Sequence, residues 1–195
     1  MAPEPMIKGG AIRAFFEWYQ EQYGVERIRE LARKAPEDLR AALDPEQPLV
    51  TILPASWYPS RLAHAMLDAL HEGKSDAELS ELFRRGNQTV IDRSFSVYRF
   101  LLEKLVTPEM YAAAIPRLWR QLHSTGTRRM KIEGPGEATS IVSDWPGHHP
   151  MLCTITIETM RAIFLRMGKK NVEWKRIKCV SVHGGRECVT KLTWT

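Results

Sequence analysis

Long apolar runs are missing from this 195-residue chain. No window approaches the roughly eighteen consecutive apolar residues that a transmembrane helix needs. The opening MAPEPMIKGG has no apolar core behind a basic start, so it does not read as a secretory signal. Cysteine is scarce, with three in all, and together with the missing export signal this places the chain in a reducing cytoplasm. The common catalytic fingerprints are absent too: there is no G-x-S-x-G, no phosphate-binding loop, no H-E-x-x-H and no dinucleotide fingerprint. Neither an internal repeat nor a low-complexity tract is present.

What is there is an ordinary globular composition, 44% hydrophobic and 26% charged, with a formal charge of +5. The charge is uneven. Residues 126–195 carry 12 Lys and Arg against 6 Asp and Glu, leaving 16 against 17 for residues 1–125. A basic C-terminal part invites nucleic acid as a partner, but no basic cluster is interleaved with stacking aromatics, so nucleic acid is not expected. Lys and Arg alternating on the solvated face of an antiparallel sheet explain the surplus more simply.

Apolar spacing gives the architecture. Ile12, Phe15, Phe16 and Tyr19 recur every three or four residues before Gly24, which predicts an amphipathic helix. Residues 25–35, a turn after Pro36, and residues 60–72 continue the helical pattern, with Leu62, Met66, Leu67 and Leu70 on one stripe of the last. Residues 49–61 between them read as extended. Ser75 with Glu78 forms a capping box, and Ser94 to Leu105 again reads as helical. Thr107-Pro108 starts a further helix whose buried row is expected at Met110, Ala114, Leu118 and Leu122. After Gly126 the period changes to two. RRMKIEG and EATSIVSDW alternate around Gly134-Pro135-Gly136, a helix spans Met151–Met167, and two strands close the stretch Asn171–Trp194. The expected class is α+β: N-terminal helices followed by a β-β-α-β-β antiparallel sheet unit. Residues 1–50 form a helical segment packed on a main domain of residues 51–195.

The three cysteines are the chemistry this sequence offers. Cys153 stands 26 positions before Cys179, and Cys179 and Cys188 flank Gly184-Gly185. Three soft thiolates suit zinc, but a tetrahedral site needs a fourth ligand. Candidates nearby are His183, Glu173, Glu187 and the pair His148-His149. Buried structural cysteines are the plainer alternative.

The ending Cys179, Gly184-Gly185, Cys188 and Trp194 resembles the closing motif of the vinyl-4-reductase-type small-molecule-binding domain, and the helices-then-sheet order is similar to the related heme-NO-binding fold. WYPSRLAHAMLDAL, TPEMYAAAIPRLW and DWPGHHPMLC resemble a myxobacterial paralogous family of uncharacterised proteins, over most of the chain from about residue 9. The vinyl-4-reductase likeness implies zinc held by the hairpin cysteines and one upstream cysteine, with a glutamate completing the set. Here Arg176 occupies that glutamate's position, and the hairpin has one more residue between its cysteines than is usual. A metal held by Cys153, Cys179 and Cys188 would then recruit His183, Glu173 or Glu187, with His183 taken as the fourth ligand. The Tyr-x-Ser-x-Arg propionate clamp of heme-binding relatives is not found; Ser96-Val97-Tyr98-Arg99 has a different spacing. From the residues alone, heme is not expected.

Asp144, His148, His149 and Cys153 are the one cluster of catalytic types, but a thiol entering an apolar helix has its pKa raised, which opposes nucleophilic use. No catalytic residue is assigned. The reading is a non-catalytic small-molecule-binding or regulatory sensor, with an apolar pocket lined by Trp119, Met160, Phe164 and Trp174 between helices and sheet. An interaction or assembly module without a small ligand is the alternative. Expected partners are an apolar small molecule and a protein partner or second copy, with no membrane.

Overall fold

In a computed structural model that describes residues 3–41, 43–94 and 106–195, strand β1 (Met6–Lys8) leads directly into helix α1 (Gly9–Tyr23). The three- and four-residue spacing buries Ile12, Phe15, Phe16 and Tyr19, with Trp18 beside them. Gly24, at φ 89°, turns the chain into α2 (Val25–Arg33), and α3 (Glu37–Arg40) follows. The stretch expected to be extended is mostly turns. Only β2 (Trp57–Pro59) is a strand, paired antiparallel with β1, and the Tyr58 hydroxyl ties the preceding loop back by accepting from Leu53 N at 2.8 Å and donating to Thr51 O at 2.9 Å.

Helices α4 (Ser60–His71) and α5 (Asp76–Ser94) complete the N-terminal body. The capping box before α5 forms as its sequence dictates, with Ser75 N donating to Glu78 Oε2 at 2.8 Å. Helix α1 crosses α5 at Gly86, where an added Cβ would lie 2.6 Å from Phe15 and 2.8 Å from Trp18. Only a residue without a side chain lets the two helices approach so closely. Of the helix expected over Ser94–Leu105, everything beyond Ser94 lies outside the described residues.

Thr107 caps α6 (Pro108–Leu122) by accepting from Met110 N, with Pro108 at the first helical position. The buried row of this helix is Tyr111, Ile115 and Trp119, not the row read from the sequence. Met110, Leu118 and Leu122 are 56%, 40% and 42% exposed. Two apolar rows run along α6 at four-residue spacing, and burying the row with two large aromatics removes more apolar surface from water.

Strands β3 (Thr127–Gly134) and β4 (Glu137–Ser143) form the expected hairpin. Then come α7 (Pro150–Arg166), β5 (Glu173–Lys178), a single helical turn α8 (Val180–His183) and β6 (Glu187–Thr193). The four strands make one antiparallel sheet in the order β3-β4-β6-β5. The closing pair of strands is present, but its connection is more than a glycine turn. Cys179 starts α8 before Gly184 and Gly185, at φ 68° and 83°, return the chain.

Helix α7 lies between the helical body and the sheet. On one side Thr159 Oγ1 donates to Asn87 Oδ1 at 2.7 Å and Arg166 pairs with Asp92, both on α5. On the other, Trp174 Nε1 donates to Glu158 Oε1 at 2.8 Å and Arg176 Nη2 to Thr154 Oγ1 at 2.7 Å. A continuous hydrophobic core runs from Ile7 and Ile12 to Leu192, so the first 50 residues share it with the rest. Among the described residues no helix is long and apolar enough to cross a membrane.

Candidate metal centre

The sheet and α7 bring the three cysteines together. Cys153 sits in the first turn of α7, Cys179 at the end of β5 and Cys188 on β6, opposite Val142 of β4. All three are free thiols and buried. The fourth member of the group is His148, from the loop before α7. One donor atom from each of His148, Cys153, Cys179 and Cys188 lies within 4.8 Å of the others.

Local contacts hold this loop. Trp145 is buried, edge-on to Trp119 and to the His148 ring, and Asp144 pairs with Arg186. His149 caps α7 by accepting from Met151 N at 3.3 Å, while its Nε2 meets Asp68 Oδ1 at 3.0 Å and its ring stacks on His64. With its neighbour thus engaged, His148 faces the thiols. Its Nε2 is 3.6 Å from Cys179 Sγ and its Nδ1 3.0 Å from Ser181 Oγ. A second hydrogen bond that fixes the far ring nitrogen is the usual support of a metal-bound imidazole.

The sulfurs are polarised against one another. The contact between Cys153 and Cys188, then burial, pushes the Cys153 thiol up, and the same contact pulls Cys188 down. His148 and the Val180 N–H, 3.3 Å from Cys188 Sγ, add to the stabilisation of a Cys188 thiolate. Arg176 is a nearby positive charge to Cys153, as is the buried Arg128. This set of soft thiolates and one imidazole is the donor chemistry of a closed, structural zinc site. The raised Cys153 thiol is the reverse of an activated nucleophile.

His183, the histidine the sequence favoured, is not in the group. Its Nδ1 lies 3.1 Å from Cys179 N and 3.3 Å from Cys179 O, so the turn of α8 folds it onto its own backbone. His148 and His149 could not be told apart by spacing. The proline after His149 marks the helix start, making His149 the cap and leaving His148 as the other ring.

The four residues read as pocket lining are spread through the core. Trp119 stacks on His123 with ring centroids 4.0 Å apart, and Phe164 meets Tyr111 and Trp194. Met160 is fully buried against Arg128, and Trp174 is bound to Glu158. None of them lines either of two open clefts at the surface. One, of about 1000 Å³, runs along α1, α2, α4 and α5 past Tyr19, Tyr23, Arg27 and Lys34. The other, of about 650 Å³, lies near Pro108, Pro135 and Trp194.

No family model and no curated protein matches the chain. Solved structures do. The chain is similar to an H-NOX protein from S. oneidensis in the Fe(II)NO ligation state, with a TM-score of 0.65 and 12% identity over 97% of this chain and 99% of that one. It is similar to an oxygen-binding H-NOX domain related to soluble guanylate cyclases, with a TM-score of 0.63 and 11% identity over 97% and 95%. A structure from work on heme distortion in the H-NOX family gives 0.64 and 9% over 97% and 95%.

These likenesses correct the expectation about heme. The residues argued against it because the propionate clamp is missing, yet the folds that this chain shares are those of heme proteins. Motif absence was too narrow a test, since one fold can hold a group with different side chains. Among the described residues, neither surface cleft is lined by a histidine or cysteine that could serve as an axial ligand. At 9% to 12% identity the likeness concerns architecture, and the conclusion is architectural: over nearly its whole length this chain has the α+β fold of an H-NOX domain.

Proposed function

We propose that this chain is a non-catalytic small-molecule-sensing domain of a cytoplasmic signalling protein, its sheet clasped to α7 by a metal bound at His148, Cys153, Cys179 and Cys188. The observation that carries the metal is the convergence of those four donors within 4.8 Å. Tetrahedral zinc with Zn–S bonds of about 2.3 Å needs sulfurs about 4 Å apart, so only a slight closure is required. Three thiolates and a neutral imidazole on a divalent ion leave one negative charge, which Arg176 and Arg128 offset. The site joins the start of α7 to β5 and β6, and so fixes the helix that separates the helical body from the sheet.

The sensing role is supported by the fold, since the proteins it resembles are heme and gas binders. The resemblance of its closing motif to the vinyl-4-reductase type points the same way. In this reading a ligand enters between α7 and its neighbours, against Trp119, Met160, Phe164 and Trp174. Those side chains are closely packed, so binding requires α7 to shift, and the shift is what a partner would detect.

Elemental analysis of protein purified without chelators tests the metal: about one equivalent of zinc is expected, lost on substitution of any ligand. Metal-free protein whose melting ignores both zinc and chelator would end the metal reading. Titration with hemin, followed by the Soret band and by melting, tests heme. The same melting assay with apolar small molecules tests the wider ligand class. No shift with either would leave the interaction-module reading in its place.

A further inference from the structure

Helix α4 holds the loop of the candidate metal centre without supplying a donor to it. His64 and Asp68, four residues apart, project from one face of this helix. His64 Nε2 lies 3.1 Å from the Gly147 carbonyl oxygen, which can only accept, so that nitrogen carries the proton. Asp68 Oδ1 accepts from His149 Nε2 at 3.0 Å. His149 Nδ1 is left to accept from Met151 N, so one tautomer of the ring serves both contacts. The His64 and His149 rings stack with centroids 4.9 Å apart. The loop also presses on the start of the helix, where a Cβ added at Gly147 would lie 2.9 Å from Ser60 Oγ and 3.1 Å from Pro5.

His148 stands between these two anchors, its Nε2 3.6 Å from Cys179 Sγ. The thiols belong to α7, β5 and β6, whereas the seat of the imidazole is made by the helical body. We propose that His64 and Asp68 are positioning residues of the metal centre: they latch the loop that presents His148 onto α4, so that metal affinity depends on how α4 sits. The inference rests on the metal reading above. Coupling is reciprocal, so a bound metal steadies the α4 contact by the factor with which that contact strengthens metal binding. The two halves of the latch are unequal. Asp68 is exposed and its bond is weakened by solvent, while the His64–Gly147 bond is partly buried.

Zinc affinity of the full chain, read by competition with a chromogenic chelator, tests this. His64→Ala should weaken binding more than Asp68→Ala, and the two together about tenfold or more, as lost outer supports of a metal site do. His64→Gln keeps an amide donor for Gly147 O and should recover most of the affinity. His71→Ala, exposed on the same helix, should change nothing. In a His148→Ala background, His64→Ala should cost no further affinity, because the latch acts through that imidazole. Alkylation of the thiols by iodoacetamide in metal-free protein is the second readout. With two hydrogen bonds lost, the double variant should react about tenfold faster than wild type. Wild type that takes up no zinc ends the metal reading and leaves the latch to stand or fall on the alkylation rates alone. Unchanged alkylation in the double variant overturns the proposal, as does undiminished affinity in a protein that binds zinc. So does a His64→Ala loss that persists without His148.

Discussion

His148 Nε2 stands 3.6 Å from Cys179 Sγ, while the opposite nitrogen of the same ring is held by Ser181 at 3.0 Å. The imidazole is thus oriented towards the thiols before any metal arrives. His148→Ala should lower zinc affinity at least as far as the roughly 10- to 100-fold expected when outer partners of a site are lost. Ser181→Ala should have a smaller effect in the same direction. His183→Ala should leave metal content unchanged, since that ring is spent on the Cys179 backbone. Competition with a chromogenic chelator measures all three, and metal loss on His183→Ala would reassign the fourth ligand.

Stability should fall in mild acid because of His123. Burial, with a smaller contribution from Arg128, lowers its pKa from 6.5 to about 3. The folded protein keeps this ring neutral where the unfolded chain takes up a proton, so stability is full above about pH 6.5 and declines as pH falls towards 3. The loss from this one group is at most about 5 kcal/mol. His123→Phe keeps an aromatic ring between Trp119 and Trp145 and removes the titration. Its unfolding free energy should vary less between pH 6.5 and 4 than that of the wild type, as read by urea melts at each pH.

Gly86 is where the α1–α5 contact is set. Gly86→Val should destabilise by about 2–3 kcal/mol, because the new side chain meets the rings of Phe15 and Trp18 rather than a flexible end. Thermal unfolding followed by circular dichroism reads the effect. An unchanged melting temperature would mean that the two helices separate without cost.

Arg128 is buried with Ser140 Oγ and Met160 Sδ as its hydrogen-bond partners, 3.2 and 3.3 Å away. A guanidinium so placed costs more than it returns unless a nearby negative charge offsets it. Arg128→Met should therefore leave the metal-free protein as stable or more stable, and should weaken metal binding by removing the counter-charge to the thiolates. Melting with and without zinc separates the two effects. A large loss in the metal-free protein would show that the hydroxyl and thioether contacts suffice to hold the charge.

Much of the fold was legible because local rules decide it. The Ser75–Glu78 box, the Thr107-Pro108 start and the Gly134-Pro135-Gly136 hairpin each act within a few residues, and each formed as read. Spacing left convergence of the thiols open and only the family resemblance implied it, and the choice of His148 depended on tertiary contacts: Trp145 in the core, Asp144 on Arg186, and His149 used as a cap. The two rows of α6 were alike in apolar character, and which one turned inward was settled by neighbours far away in the chain. Heme was judged by a motif, and a motif does not report on architecture.

Strand β6 lies inside the sheet, between β4 and β5, although it is the last of the four strands to be made. The ribosome releases the β3–β4 hairpin first, ready to pair, but β5 then waits beside no neighbour until β6 arrives. Cys188 travels on that final strand, so the last of the four candidate donors and the strand that closes the sheet come together. With a metal bound there, completion of the candidate site and completion of the sheet would be one event, and the ion would act as a checkpoint on closure of the sheet.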